Sequence, residues 1–249
     1  MEPELLDQTD VSPADRKHAY DGLDRLQRWG LTARRLYAAA RPTLQAAIAS
    51  DPNHRPRWVD LACGSGRILT DVVQLAAADD ITLDPYGVDF SDKSLDLAQA
   101  NAAAAGVEGI TWVRSDLVAD PMPEPAIGAE VVSCSLFLHH LETDAIVAVL
   151  AKAAAAGQLL LVDDLRRNRR SFAMAWLGGR LLTRSRIVQI DGAISVRAGL
   201  EPDELRAIAD DAGLQAATIT TQWPQRMVLT HRQPEAAAVA QPALARAAG

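Results

Sequence analysis

Between residues 57 and 164, short apolar runs alternate with longer stretches in which apolar residues recur every three or four positions. The short runs read as buried strands and the longer stretches as amphipathic helices. Strands are predicted over 57–62, 85–89, 110–114, 130–135 and 158–163, with helices between them, for example over 92–105 and 143–156. Such alternation implies a parallel sheet with helices on both faces. Residues 1–50 carry no strand pattern. Leu23, Leu26 and Trp29 fall at helical spacing across 21–37, and a helical stretch over 31–48 continues past Pro42. After residue 164 the rhythm breaks, because 166–190 mixes apolar and basic residues at roughly helical spacing. Pro202 and the acids around it open a further helix and Gly213 closes it. Two closing strands, an antiparallel pair, are predicted over 215–221 and 225–231. These signals divide the chain into a helical cap (1–50), a main α/β domain (51–232) with an insertion at 166–200, and a frayed alanine- and proline-rich tail (233–249).

The densest chemistry lies where the first strand ends. Asp60 closes that strand, Gly64 and Gly66 make a small turn, and a helix follows. A turn without bulk lets a ligand lie against the main chain, and the helix start offers free N–H groups. This is the crevice in which open α/β sheets hold nucleotides. A dinucleotide fingerprint needs a third glycine where Leu69 stands, and a phosphate-cradling P-loop needs Gly-Lys-Ser/Thr, which is absent. The spacing present is D-x-[GA]-x-G-x-G, from Asp60 through Ala62 and Cys63 to Gly66.

That spacing resembles the first motif of class I S-adenosylmethionine-dependent methyltransferases, with Ala62 in place of the usual first glycine. Three more stretches fall in the family's order: YGVDFSD at 86–92, TWVRSDL at 111–117 and AEVVSCSLFLHHL at 129–141. The resemblance, which covers about 57–231, implies a Rossmann-like, mostly parallel seven-stranded sheet of order 3-2-1-4-5-7-6. Its last strand would be antiparallel, with helices on both faces. The resemblance implies S-adenosyl-L-methionine as cofactor and S-adenosyl-L-homocysteine as product. Asp89 would then accept the two ribose hydroxyls, since a carboxylate offers a diol two oxygens. Phe90, with Ser91 beside it, would wall the adenine. Asp116, preceded by Ser115, would accept from the adenine amino group, and the Leu117 N–H would serve a ring nitrogen. Ser135 and Leu136 would lie beside the reacting methyl. An aspartate after a strand also caps helices, so each acid has that second role open to it.

Methyl transfer from a sulfonium needs alignment and exclusion of water, and a hydroxyl nucleophile also needs its proton removed. His139 and His140 follow the fourth strand, and one of them is expected to be the base. Asp163 and Asp164 end the neighbouring fifth strand, where one of them would orient a histidine, hold a substrate hydroxyl or cap the next helix. The D/N-P-P-Y/F/W motif of amino-methylating DNA enzymes is replaced by Ser133-Cys134-Ser135-Leu136, and no Pro-Cys nucleophile occurs. FLHHL and the insertion resemble small-molecule enzymes of the quinone-biosynthesis and polyketide-tailoring type. The expectation is therefore an O-methyltransferase on a small, lipophilic, phenolic acceptor. The alternatives are a C-methyltransferase on a quinone precursor and a non-catalytic cofactor-binding partner of a biosynthetic complex.

Composition narrows the partners. With 25 Lys and Arg against 32 Asp and Glu, the net charge is −7, which disfavours nucleic acid. The two cysteines and five histidines have no zinc-ligand spacing, and no metal is expected. Cys63 and Cys134 end neighbouring strands and are expected to be reduced thiols. The acidic start of the chain is unlike a secretory signal and no spanning segment is evident, so a cytoplasmic place is expected. Stable membrane insertion is not expected. The 166–190 segment has two readings: a substrate-covering insertion with an oily inner face, whose arginines would meet an anionic headgroup or a membrane surface, or a surface helix with solvated arginines.

Overall fold

The fold is a computed structural model that describes residues 22, 31–183 and 185–234. Most of the helix expected over 21–37 and the tail from 235 onward lie outside the described residues. The helix expected over 31–48 is α1 (Thr32–Ser50), which runs through Pro42. Then follow β1 (Arg57–Leu61), α2 (Arg67–Ala78), β2 (Asp84–Asp89), α3 (Asp92–Ala104), β3 (Thr111–Arg114), β4 (Val131–Ser135), α4 (Thr143–Ala156) and β5 (Leu159–Leu165). The chain continues through α5 (Arg169–Leu182), α6 (Arg186–Ala198), α7 (Pro202–Asp211), β6 (Thr218–Gln222) and β7 (Arg226–Arg232).

The seven strands form one sheet in the order β3-β2-β1-β4-β5-β7-β6, the order expected. β1 to β5 are parallel to one another, β7 is antiparallel to β5, and β6 is antiparallel to β7. The period of two along each strand divides the core in two. Trp58, Val131, Leu159 and Leu161 pack on α1 and α2, while Val59, Val132, Leu160 and Val162 pack on the face covered by α4 and α7. Near-continuous apolar strands such as Leu159–Val162 follow from burial on both faces.

Two strand boundaries differ from the sequence reading by more than one residue. β5 runs on to Leu165 because β7 supplies partners to its end, Leu165 opposite Arg226. β6 starts at Thr218 rather than 215, because Leu214 and Ala217 turn inward, joined by an Ala217 N–H to Leu214 carbonyl bond of 2.9 Å. The 166–200 insertion folds as two helices. Asn168 caps α5 by accepting from Ser171 N–H, and Ser185 caps α6 by accepting from Val188 N–H. α6 packs against the turn holding the two histidines.

Candidate functional site

The turn after β1 is left-handed at three positions: Ala62 (φ 52°), Gly64 (φ 54°) and Gly66 (φ 68°). The two glycines do different work. A Cβ on Gly66 would stand 2.7 Å from both Ala98 Cβ and Trp112 Cη2, so its absence lets α2 start against α3 and β3. A Cβ on Gly64 would meet nothing within 4 Å, so Gly64 opens onto clear space. Ala62 holds a conformation that costs an L-residue about 1–2 kcal/mol, partly offset by the lower chain entropy lost relative to glycine. Ala62→Gly is therefore expected to stabilise the fold by up to about 1 kcal/mol, read as a higher urea midpoint.

Asp89 closes β2 next to this turn and is buried. Its Oδ2 accepts the Gly64 N–H at 2.9 Å and its Oδ1 the Ser91 N–H at 3.0 Å, which fixes the carboxylate at the rim of the clear space. Asp60 lies deeper. Ser133 Oγ donates to Asp60 Oδ1 at 2.6 Å and accepts from Trp58 Nε1 at 2.8 Å. Burial raises the Asp60 pKa to about 7; the Ser133 hydrogen bond opposes the rise and the Asp89 charge adds to it. Cys63 and Cys134 are reduced and buried, and burial holds both thiols well above their ordinary pKa.

On the β2–β3 side the residues are more open. Phe90, which follows Asp89, is 68% exposed. Ser91 caps α3 by accepting from Ser94 N–H. The Ser115 N–H binds the Asp89 carbonyl at 3.0 Å. Asp116 is exposed and its Oδ1 takes the N–H groups of Val118 and Ala119, an Asx-type cap that lowers its pKa. Leu117 is buried, with its carbonyl accepting from Lys152 Nζ.

The ends of β4 and β5 separate the four candidate catalytic residues. Asp163 and Asp164 leave opposite faces of β5. Asp164 Oδ1 meets His139 Nδ1 at 2.6 Å, and its Oδ2 accepts the Leu138 N–H at 2.7 Å. His139 is 4% exposed, whereas His140 lies on the surface with its ring 4.3 Å from that of His139. Asp163 is spent otherwise: its two oxygens meet Arg226 Nε at 2.6 Å and Arg35 Nε at 2.8 Å. It neither orients a histidine nor faces solvent. Ser135 Oγ, one strand over, is buried without a hydrogen-bond partner. Leu136 follows at φ 57°, its N–H bound to the Asp163 carbonyl at 2.9 Å.

Burial alone would raise the Asp164 pKa, but the charge and hydrogen bond of the His139 ring, with Arg226 behind them, hold it at about 2. Asp164 is thus a carboxylate at neutral pH, so His139 Nδ1 is the donor, and whenever the ring is in its neutral form its lone pair sits on Nε2. Because the pKa in the folded state lies below that of the unfolded chain, the pair stabilises the fold above about pH 4 and that stabilisation is lost as pH falls toward 2. The loss is about 2 kcal/mol. Asp164→Asn is expected to flatten the acid limb of a stability–pH curve measured in urea.

The sequence reading did not single out Arg35, Arg226, Ser133 or Trp112. Arg226 and Arg35 reach Asp163 from 63 and 128 residues away, which no local pattern signals. Trp112 could have been found: Gly87 faces it across β2 and β3, and a Cβ there would stand 2.3 Å from the indole. A hollow of about 590 Å³ lies at the opposite end of the sheet, between α1 and residues such as His54 and Glu130. It faces the amino ends of the strands, away from the carboxyl ends where such sheets bind ligands. Among the described residues no group of three or more His, Cys, Asp or Glu is placed to hold a metal, and no helix is long and apolar enough to cross a membrane.

Residues 59–157 match the family model described as "Methyltransferase domain". The chain is 31% identical over 164 residues to the ubiquinone biosynthesis O-methyltransferase of Bordetella avium (strain 197N), covering 64% of this chain and 62% of that one. It is 30% identical over 123 residues to the protein of the same name from Paracidovorax citrulli (strain AAC00-1), 49% of each chain. The chain thus spans about half to three fifths of the length of these relatives. Among solved structures, the plantazolicin methyltransferase in complex with SAH is similar at a TM-score of 0.62 and 14% identity, covering 92% of this chain and 94% of that one. The O-methyltransferase family 2 protein from Planctomyces limnophilus DSM 3776, in complex with apigenin, is similar at 0.60 and 19% identity, covering 91% and 63%. These structural likenesses establish the shared fold.

Proposed function

We propose that this chain, whose residues 59–157 match a methyltransferase domain, is an enzyme, a class I S-adenosylmethionine-dependent methyltransferase. It moves a methyl group from that donor to a hydroxyl of a small, lipophilic, phenolic acceptor. The observation that carries the reading is the His139–Asp164 pair at the end of β4, buried one strand from the glycine crevice. Curated relatives named as ubiquinone biosynthesis O-methyltransferases support the choice of oxygen.

The residues present suit the donor. Clear space over Gly64 accommodates a ligand lying on the main chain, and Asp89 stands at its rim with acceptor capacity beyond its two backbone bonds. Phe90 offers an apolar wall, and the unpartnered Ser135 Oγ offers a polar contact at the strand end. Asp116 is exposed and anchored by its own loop, and on this reading its carboxylate accepts from the adenine amino group. When bound, S-adenosylmethionine supplies an activated methyl group on a cationic sulfur. The chain's own part is to hold the acceptor hydroxyl in line, to exclude water, and to take the hydroxyl proton at His139 Nε2. Asp164 fixes the ring and steadies the charge the imidazole gains. His140 lies on the surface beside the His139 ring and is given no proton-transfer role.

Asp89→Ala is expected to weaken donor binding by about 1.5–3 kcal/mol, because hydrogen bonds to a charged acceptor are lost. Calorimetry checks this, and unchanged affinity would remove Asp89 from the site. The function itself is tested with methyl-labelled donor against a panel of phenols and catechols. Label on oxygen supports the proposal, label on ring carbon replaces it with C-methylation, and saturable donor binding with no labelled product replaces it with a binding role.

A further inference from the structure

Beyond β5 the chain builds a second, cationic hollow of about 310 Å³, lined by Arg166, Asn168, Arg169, Arg170 and Gln225. Among the described residues no carboxylate lines it, in a chain whose net charge is −7. Its polar groups are arranged as donors. Asn168 Oδ1 is used by the Ser171 N–H, and Gln225 Oε1 by the Asn168 amide at 3.0 Å, so the acceptor oxygens of both amides are occupied and N–H groups remain. Arg166 Nε is buried and unpartnered, and the side chains of Arg169 and Arg170 have no partner among the described residues. Their neighbour Arg167 is different: it is paired with Glu204 and Glu201. A buried guanidinium N–H without an acceptor costs about 1–3 kcal/mol, which a bound anion would recover.

The hollow is tied to the chemistry by the strand. Arg166 follows Asp164 by two residues in extended chain, bridged to Leu200, so the two side chains leave the same face about 7 Å apart. Gln225, held at φ 64°, accepts the Arg166 N–H on its carbonyl and precedes Arg226, which grips Asp163. The basic pocket and the His139–Asp164 pair therefore sit on one rigid strand end.

We propose that this hollow is an acceptor subsite for an anionic group, a carboxylate or phosphate, carried by the molecule whose hydroxyl faces His139. The proposal rests on the methyl-transfer reading for the identity of that molecule, but the anion site itself does not. The acceptor is accordingly an acidic phenol, bound through the arginine-lined hollow at one end and presented to the base at the other.

The test begins with inorganic phosphate titrated into the full chain by calorimetry, with no methyl donor present. Saturable binding is expected in the wild-type chain. It should weaken about 10-fold or more in Arg166→Gln, and likewise in the double variant Arg169→Gln/Arg170→Gln, whose positions are exposed and tolerate the change in folding. With a matched pair of phenols differing by one carboxylate, both variants should raise KM for the acidic member and leave kcat and the uncharged member nearly unchanged. Absence of phosphate binding, or equal binding by the variants, overturns the proposal. So does unaltered phosphate binding in variants that lose attachment to phosphatidylglycerol vesicles, which would make this face a membrane contact. A failure of the methyl-transfer reading would show in the acceptor panel and leave the phosphate titration as it was.

Discussion

His139→Ala is expected to slow methyl transfer about 100-fold or more while donor affinity stays unchanged. The ring is 4% exposed and its Nδ1 is committed to Asp164, so the variant removes the proposed base without touching the glycine crevice. Asp164→Asn should reduce kcat by up to about 10⁴-fold through a different route. An amide can present its N–H₂ or its oxygen to Nδ1, so the tautomer with a lone pair on Nε2 is no longer enforced. His140→Ala is the control, with turnover expected within a few fold of the wild type. Single-turnover rates with labelled donor, alongside calorimetric donor affinity, check all three. Full turnover in His139→Ala would leave alignment of the reactants as the whole of the catalysis.

The second large effect falls on stability. Asp163→Ala is expected to destabilise the fold by about 3–5 kcal/mol, because it strands the buried guanidinium of Arg226 and cuts the tie to Arg35. The side chains of those arginines are 7% and 10% exposed, so water repairs little of the loss. The comparison is the urea midpoint of Asp163→Ala against that of Asp163→Asn, which keeps one acceptor oxygen and should lose less. A loss below about 1 kcal/mol would place the network among solvent-screened pairs.

Much of this arrangement was legible in the chain. Alternation of short apolar runs with period-3.6 segments gave the strands and helices of the parallel half, since burial on both faces leaves little freedom in where apolar runs go. Gly64, Gly66 and Asp89 stood out because a left-handed turn and a strand-end carboxylate leave local marks. The division between His139 and His140 did not, because adjacent residues on a short 3₁₀ turn differ only in which way the turn faces. Nor did the division between Asp163 and Asp164, which is decided by Arg226 on β7 and Arg35 on α1. Those partners are set by sheet topology, which no window of a few residues contains. Asp116 shows the reverse case: the role of loop cap, open to any aspartate after a strand, is made by two N–H groups at positions 118 and 119.

The consecutive aspartates of β5 carry a lesson for how this gene can change. One side chain anchors the scaffold and the next tunes the imidazole, and only the up-and-down alternation of an extended backbone keeps those duties apart. Adding or removing a single codon between Leu159 and Asp163 would exchange them at a stroke, turning the anchor toward the histidine and the tuner toward the arginines. Length variation among descendants of this chain should therefore collect in the surface stretch after Leu165 and be purged from the five codons before Asp164.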